Sequence, residues 1–406
     1  MLYPHQVIAK DFLLKNQRVI LADAPRCGKT LPTAAAALEH LPALIVCPAI
    51  VKNVWKDAFE ALNPNIPVTV INGKKAAEAI GGDGITIINY DLLGAIKNIK
   101  PFNTLILDES HRIKNHKAIR TKAALKLMNR IPCVYALSGT PIPNRPIELW
   151  PLLHGLGIYR GGWFDFAQRY AKMWNAPWGL DVSGASNLPE LRELIKPHTL
   201  RRTRDQVFTN YQQPITSLIT FDLPTDKREQ EFNADTLIDH PNPMLAFEGL
   251  AEVMKEAGMR KVKPAAEFIE NILESNESVV VFAHHKDVVA ELNNILSKHK
   301  AAIITGATPA TARPGLLKGF QDGKTKLFIG NLAACQEGID LSVADTVVFV
   351  EATWQTSALE QASARVENIK KQGKAPLIYL LTIANSLDHT VLKKILKKQN
   401  IINQII

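Results

Sequence analysis

Short, mainly apolar runs alternate with helix-length amphipathic stretches, and the alternation starts twice. In the first half, residues 18–22, 43–47, 85–89, 104–107 and 133–137 read as strands. Between them lie helical stretches, among them the Ala-rich segment 28–39 and the segment 51–61. In the second half, residues 278–283, 301–305, 326–329, 346–350 and 376–381 are strand-like. A continuous apolar strand is one buried on both faces, and parallel strands need crossover connections. The pattern therefore predicts parallel sheets covered by helices. Two starts in 406 residues predict two α/β domains in tandem.

The expected division is residues 1–218 and 219–406. The first part includes a helical insertion over about 146–214, where composition shifts. That insertion holds Trp150, Trp163, Trp174 and Trp178. Such a cluster forms the core of a small helical subdomain or stacks on exposed bases. Residues 224–275 read as mostly helical and polar. No tandem repeat or low-complexity tract is present.

Apolar residues make up 46% of the chain and charged residues 21%, enough to bury two cores and too apolar for a disordered chain. The net charge of +9 points to an anionic partner without naming it. Cys27, Cys47, Cys133 and Cys335 are scattered, which argues against a zinc site or a disulfide framework. Free thiols suit a reducing compartment. The first residues lack the charged-then-apolar pattern of a signal peptide. No apolar run reaches the roughly 18 residues of a membrane span, so no membrane partner is expected. His284 and His285 lack the further ligands of a metal site.

Asp23-Ala-Pro-Arg-Cys-Gly-Lys-Thr30 follows a strand and opens a helix. It matches a phosphate loop except that Asp23 stands where the first glycine would be. Backbone N–H groups at a helix N-terminus suit phosphate oxygens. Lys29 is placed to reach the β- and γ-phosphates of ATP, and Thr30 to ligate Mg²⁺. Leu105-Ile-Leu-Asp-Glu-Ser-His111 is an apolar strand ending in two carboxylates. Open α/β sheets bind ligands at such strand ends. Asp108 can hold Mg²⁺, directly or through water, and Glu109 can polarise the attacking water. Alone, either run has a plain structural reading as a helix start. Together they predict ATP hydrolysis.

With these residues in view, the sequence resembles the Swi/Snf family of superfamily two helicases, from about Tyr3 to Leu396. Asp23-Ala-Pro-Arg-Cys-Gly-Lys-Thr30 resembles that family's Asp-Glu-Met-Gly-Leu-Gly-Lys-Thr. Tyr3-Pro-His-Gln6 resembles its adenine-contacting motif, with Gln6 as base reader. Ile45-Val-Cys-Pro48 with Trp55, Asn89-Tyr-Asp-Leu-Leu93, Asp108-Glu-Ser-His-Arg-Ile-Lys-Asn115 and Ser138-Gly-Thr-Pro141 follow in family order. Leu200-Arg-Arg-Thr-Arg-Asp205 resembles the segment closing the first lobe. Val281-Phe-Ala-His-His-Lys286, Thr305-Gly306, Gly338-Ile-Asp-Leu341, Trp354 and Gln361-Ala-Ser-Ala-Arg365 continue the match. Pro177 to Leu188 is similar to the annealing-helicase branch, whose members rewind DNA and remodel stalled forks.

The resemblance implies two RecA-like domains with ATP between them. It places Gln6, Asp23, Arg26, Gly28, Lys29, Thr30, Asp340 and Arg365 around the nucleotide. His111, Ser138, Gly139, Thr140 and Gln361 are the expected coupling residues. Pro48, Lys52, Thr140, Pro141, Thr305, Gly306 and Asn331 are the expected contacts to one DNA backbone. Contacts of that type read phosphate and not base edges, so binding is expected to be sequence-independent and salt-sensitive. Two departures stand out. Pro25-Arg26-Cys27 replaces Met-Gly-Leu, and Arg26 either adds charge near phosphate or points to solvent. Arg365 and Asn368 occupy positions where the family carries two arginines, so Lys370 and Lys371 become candidates for the missing charge.

The expected activity is DNA-stimulated ATP hydrolysis coupled to movement on duplex or forked DNA. The rivals are a strand-separating DNA or RNA helicase and a weakly active, ATP-gated DNA-binding subunit. The C-terminal Lys393, Lys394, Lys397 and Lys398 either grip a backbone or form a solvated face. A compact motor without accessory modules is expected in the cytoplasm of a bacterium or of a virus-infected host, ahead of a nucleus.

Overall fold

A computed structural model describes residues 2–139, 145–176, 179–208, 211–232, 248–275, 277–309, 311–335, 339–351, 362–366 and 375–393. The chain forms two compact units, the first ending at Val207 and the second starting at Phe208. Each is a RecA-like parallel α/β domain.

The sheet of the first unit has seven strands. In chain order they are β1 (Arg18–Leu21), β2 (Ala43–Cys47), β3 (Val68–Val70), β4 (Ile85–Asn89), β5 (Thr104–Leu107), β6 (Cys133–Leu137) and β7 (Thr199–Leu200). They lie in the order β7-β1-β6-β5-β2-β4-β3, and every pairing is parallel. Side chains alternate between two apolar layers, as a strand's period of two requires. Along β2, Ala43, Ile45 and Cys47 enter one layer, and Leu44 and Val46 the other.

Helices α1 (Pro4–Lys15), α2 (Thr30–Ala37) and α3 (Lys52–Leu62) fill the first layer. Ala34, Ala36 and Ala37 are fully buried, and their small side chains let α2 lie close to the sheet. Helices α4 (Ile119–Arg130), α5 (Trp150–Gly155), α6 (Trp163–Tyr170) and α7 (Leu188–Ile195) fill the second. Each fully buried Leu, Ile or Phe in these layers contributes roughly 1.5–3 kcal/mol over exposure. Arg18, at the start of β1, donates to the carbonyls of Met128 (2.7 Å), Ile131 (3.0 Å), Gly155 (2.6 Å) and Leu156 (3.2 Å). One guanidinium thus caps the C-terminal ends of α4 and α5 together.

The stretch after β6 is helical, as expected, but it also carries an antiparallel hairpin of Trp174–Ala176 and Gly179–Asp181. Trp150 and Trp163 pack against the core, with the His116 ring 4.6 Å from that of Trp163. Trp174 is 52% exposed. Trp178 and Pro177 lie outside the described residues.

The second unit holds β8 (Ile215–Phe221), β9 (Val279–Ala283), β10 (Ala302–Ile304), β11 (Leu327–Asn331), β12 (Thr346–Phe349) and β13 (Leu377–Ile383). Their order is β8-β13-β12-β9-β11-β10, again all parallel. Helices α8 (Leu250–Glu274) and α9 (Lys286–Ile295) cover one face, and α10 (Arg313–Gln321) contributes Phe320 to the other. No described helix is long and apolar enough to cross a membrane.

Candidate functional site

The loop between β1 and α2 is drawn tight around Lys29. Its ammonium donates to the backbone carbonyls of Asp23 (2.7 Å) and Ala24 (3.4 Å). Gly28 has a φ of +72°, and a Cβ there would lie 2.6 Å from Gln6 Nε2. Glycine meets both demands at once. Arg26 has a φ of 69°. A left-handed backbone costs an L-residue about 1–2 kcal/mol, and this is the position at which the resembled family carries glycine.

Three elements far apart in sequence hold the loop. Pro4 opens α1 at a position where its missing N–H costs nothing. Gln6 then accepts from the Tyr3 N–H (2.9 Å) and donates to the Gly28 carbonyl (3.0 Å). Its amide is buried and committed at both ends, so in this arrangement Gln6 ties α1 to the loop. The His5 ring lies 2.9 Å from the Cys27 carbonyl. From the other side, the segment after β7 runs along the loop. Ala22 N–H donates to Leu200 O (2.8 Å) and Ala24 N–H to Arg202 O (3.0 Å). The Arg202 guanidinium forks onto both oxygens of Asp23 and donates to His5 O (2.7 Å). Arg204 donates to Pro25 O (3.0 Å). Asp23 is 2% exposed, so its carboxylate serves as a strut for the loop. Gly139 packs under Pro25, where a Cβ would meet the Pro25 ring at 2.9 Å.

Asp108 follows β5 and is fixed from several sides. Trp55 Nε1 donates to its Oδ2 (2.8 Å), the Glu109 N–H to its Oδ1 (3.0 Å), and Tyr90 OH to its carbonyl (2.7 Å). Burial raises its carboxyl to about 7, and the Glu109 carboxylate adds to the rise. The Trp55 bond and the Lys29 charge oppose it, so Lys29 and Asp108 are electrostatic neighbours. Glu109 sits in a left-handed turn, φ 50°. Its Oε2 lies 3.3 Å from His111 Nδ1, which is also 3.1 Å from Ser138 Oγ. A polar chain thus runs from the end of β5 to the loop after β6.

Not every expected contact lies where the sequence places it. Lys52 is 7% exposed, with its ammonium on Ile71 O (2.7 Å) and Asn72 Oδ1 (3.3 Å). In this arrangement the ammonium of the expected DNA contact is spent on protein oxygens, and its burial lowers its pKa. Pro48 accepts from Val51 N–H and starts the turn into α3. In the second unit, Thr305 Oγ1 accepts from Ala307 N–H (3.3 Å), which shapes an exposed turn with Gly306. Asn331 donates to His284 O. Leu341 N–H donates to Arg365 O (3.1 Å), which brings the Asp340 and Arg365 segments together. Thr140, Pro141, Gly338, Trp354, Gln361, Asn368, Lys370, Lys371, Lys394, Lys397 and Lys398 lie outside the described residues.

Sequence reasoning missed Arg202 as the partner of Asp23, and Trp55 and Tyr90 as the supports of Asp108. An aspartate at a glycine position was the available signal for the first. The aromatic supports depend on packing alone.

Several curated proteins are similar to the chain. The SWI/SNF-related matrix-associated actin-dependent regulator of chromatin subfamily A-like protein 1 of Xenopus laevis is 31% identical over 96% of this chain and 42% of its own length. The DNA annealing helicase and endonuclease ZRANB3 of Homo sapiens is 28% identical over 98% of this chain and 40% of its own. The chain therefore spans less than half the length of these relatives. Among solved structures, the Sulfolobus solfataricus SWI2/SNF2 ATPase core in complex with dsDNA aligns with a TM-score of 0.48 at 21% identity, over 100% of this chain and 93% of that one. The relatives overturn the expectation of a bacterial or viral cytoplasmic setting. They are animal proteins named for chromatin regulation and DNA annealing. Free thiols could not separate the two settings, since cytoplasm and nucleus are both reducing. The SNF2-related domain matches residues 5–280 and the helicase conserved C-terminal domain residues 264–370, so the chain belongs to the SNF2-related family.

Proposed function

We propose that the chain is a DNA-stimulated ATPase that translocates on double-stranded or forked DNA and remodels or reanneals it. The observation that carries the reading is the half-buried Asp108 carboxyl after a strand end, held by Trp55, raised to about 7 by desolvation and within electrostatic reach of Lys29. A carboxyl so placed is poised for a cation, and the Thr30 hydroxyl and Asp108 offer the oxygen donors that Mg²⁺ prefers. The Lys29 ammonium, resting on loop carbonyls, has the length and charge to move onto phosphate oxygens. The residues present therefore fit ATP and Mg²⁺.

Bound ATP supplies the phosphoryl group, and Mg²⁺ neutralises its charge. Lys29 and the backbone N–H groups of the loop orient the phosphates. Glu109 orients water and takes its proton. His111 lies between Glu109 and Ser138, so a change at Glu109 is felt by the loop after β6 through these two contacts. By family position Arg365 is the proposed cation of the reaction, and Asn368 is neutral at the other family position. Pro48, Thr305 and Gly306 stay in the proposed DNA track, and Lys52 leaves it. The relatives named as DNA annealing helicases support DNA as the track.

ATP turnover measured with blunt duplex, forked DNA, single strands and RNA tests the proposal. Duplex or forked DNA should stimulate most. Glu109→Gln should keep ATP binding and lose about 10²–10⁴ in rate, the usual weight of a general base. Wild-type turnover in Glu109→Gln would remove Glu109 from the reaction. Efficient unwinding of long tailed duplexes, without stimulation by blunt duplex, would favour a strand-separating helicase.

A further inference from the structure

Helix α4 carries two adjacent stripes. Ile119, Ala123 and Leu127 recur at a spacing of four and form an apolar stripe. Lys122, Lys126 and Arg130 recur at the same spacing and form a basic stripe beside it. Facing them, the turn after β4 presents Leu93, Ile96 and Ile99, with Lys97 at the rim. These two walls enclose an open groove of about 420 Å³. Ile119 is 76% exposed. Its methyl group lies over Gly94, where a Cβ would come within 2.8 Å.

The charges of the groove are unbalanced. Lys97 meets Glu78 at 3.1 Å, on the surface. Among the described residues no salt bridge reaches Lys122, Lys126 or Arg130, and like charges four residues apart on a helix repel. An apolar floor beside an unneutralised basic stripe asks for an occupant with both properties. A nucleic-acid backbone would answer the cations and leave the aliphatic floor wet. A neutral apolar segment would fill the floor and leave the cations unanswered.

We infer that this groove docks an acidic amphipathic segment of a partner protein. Its apolar side chains enter between α4 and the turn after β4, and its carboxylates face Lys122, Lys126 and Arg130. Helix-in-groove recognition of this kind uses anchors at helical spacing. The groove lies on the layer opposite α1, α2 and α3, so it is separate from the phosphate loop.

Random peptides of about 16 residues, displayed on phage and selected on the full chain, test the inference; about four helical turns fit that length. The enriched sequence is then synthesised, labelled and titrated by fluorescence anisotropy. Aliphatic or aromatic residues at helical spacing, mixed with Asp and Glu, should be enriched. Ile119→Ser and the double variant Lys122→Glu/Lys126→Glu should each weaken binding by about tenfold or more, as for interface anchors. Both variants should melt with the wild-type transition, because the substituted side chains are exposed. A selection without an acidic, amphipathic consensus would overturn the inference. So would binding that ignores both variants. If duplex DNA displaces the peptide, and the double variant loses DNA while Ile119→Ser keeps it, the stripe is a backbone contact and the peptide site falls.

Discussion

Each unit buries an ion pair that ties an early part of its fold to its last segment, and the two pairs have different surroundings. In the first unit, Arg202 reaches back to Asp23, and the fork also holds His5 O. In the second, Lys261 of α8 meets Asp388, just beyond β13, at 2.7 Å, and also donates to Leu381 O at 3.2 Å. Both pairs forfeit hydration, which offsets much of their mutual attraction. The first stands among the carbonyls and N–H groups of a loop shaped for a ligand. The second lies under a helix whose neighbouring side chains are apolar, helped by Glu229, which accepts from Leu387 N–H (2.8 Å) and pairs with Arg260. Similar chemistry thus sets a loop in one unit and docks a long helix in the other. Damage to the first should register in nucleotide handling, and damage to the second in folding.

The largest effect is expected at Lys261, which is 1% exposed. Lys261→Met leaves the Asp388 carboxylate buried without its partner. Removing one member of such a pair costs about 3–5 kcal/mol. Denaturant unfolding should show that loss, and the KM for ATP of the remaining folded protein should not change. Adding Asp388→Leu should recover most of the stability, because the stranded charge is then gone. If the double variant stays as unstable as the single one, packing of the lysine stem matters more than charge.

Asp23→Asn should reverse the split. The amide keeps the shape and one bond to Arg202 but weakens the fork. Its cost to stability should be about 1–3 kcal/mol, the scale of a compromised buried hydrogen bond. The KM for ATP should rise about tenfold, or ~1.4 kcal/mol, as the loop loosens. Steady-state kinetics beside a denaturant titration separate the two quantities. A stability loss with unchanged KM would place this pair in the same class as Lys261–Asp388 and erase the contrast.

How far the sequence speaks follows from how local each feature is. Residues 43–47, 85–89, 104–107 and 133–137 form strands where the apolar runs place them, because a strand buried on both faces has an unbroken apolar signature. Strands β3 and β8 escaped, since edge strands are half exposed and interleave Thr and Ser with apolar residues. The hairpin at 174–181 hid inside a stretch that otherwise reads as helix. In the site, Lys29 and Thr30 stand at the start of α2, and Asp108 and Glu109 just after β5, where the local pattern puts them. The Asp23–Arg202 pair spans 179 positions, and nothing near Asp23 announces its partner. The burial of Lys52 was equally hidden, because it depends on where Ile71 and Asn72 fall beneath α3.

The smallest expected effect concerns the strain inside the first unit's clamp. Arg26 holds a φ of 69° between Pro25, which sits on Gly139, and Cys27, whose carbonyl faces His5. Arg26→Gly removes the left-handed penalty of about 1–2 kcal/mol. It also loosens the unfolded chain, at a cost of roughly 0.5–1 kcal/mol. The net gain should lie between about 0 and 1.5 kcal/mol, from the difference of those two terms. Arg26→Ala keeps the Cβ and should show no gain, so the pair separates backbone strain from side-chain charge. Equal stabilisation by both would mean that relief of charge crowding, and not the dihedral, is responsible. The same two variants test whether the guanidinium reaches phosphate. Both should raise the KM for ATP by about threefold, or ~0.7 kcal/mol, the size of an exposed ion pair. An unchanged KM in both would assign Arg26 to solvent, and the clamp would then tolerate its strain with no return in binding.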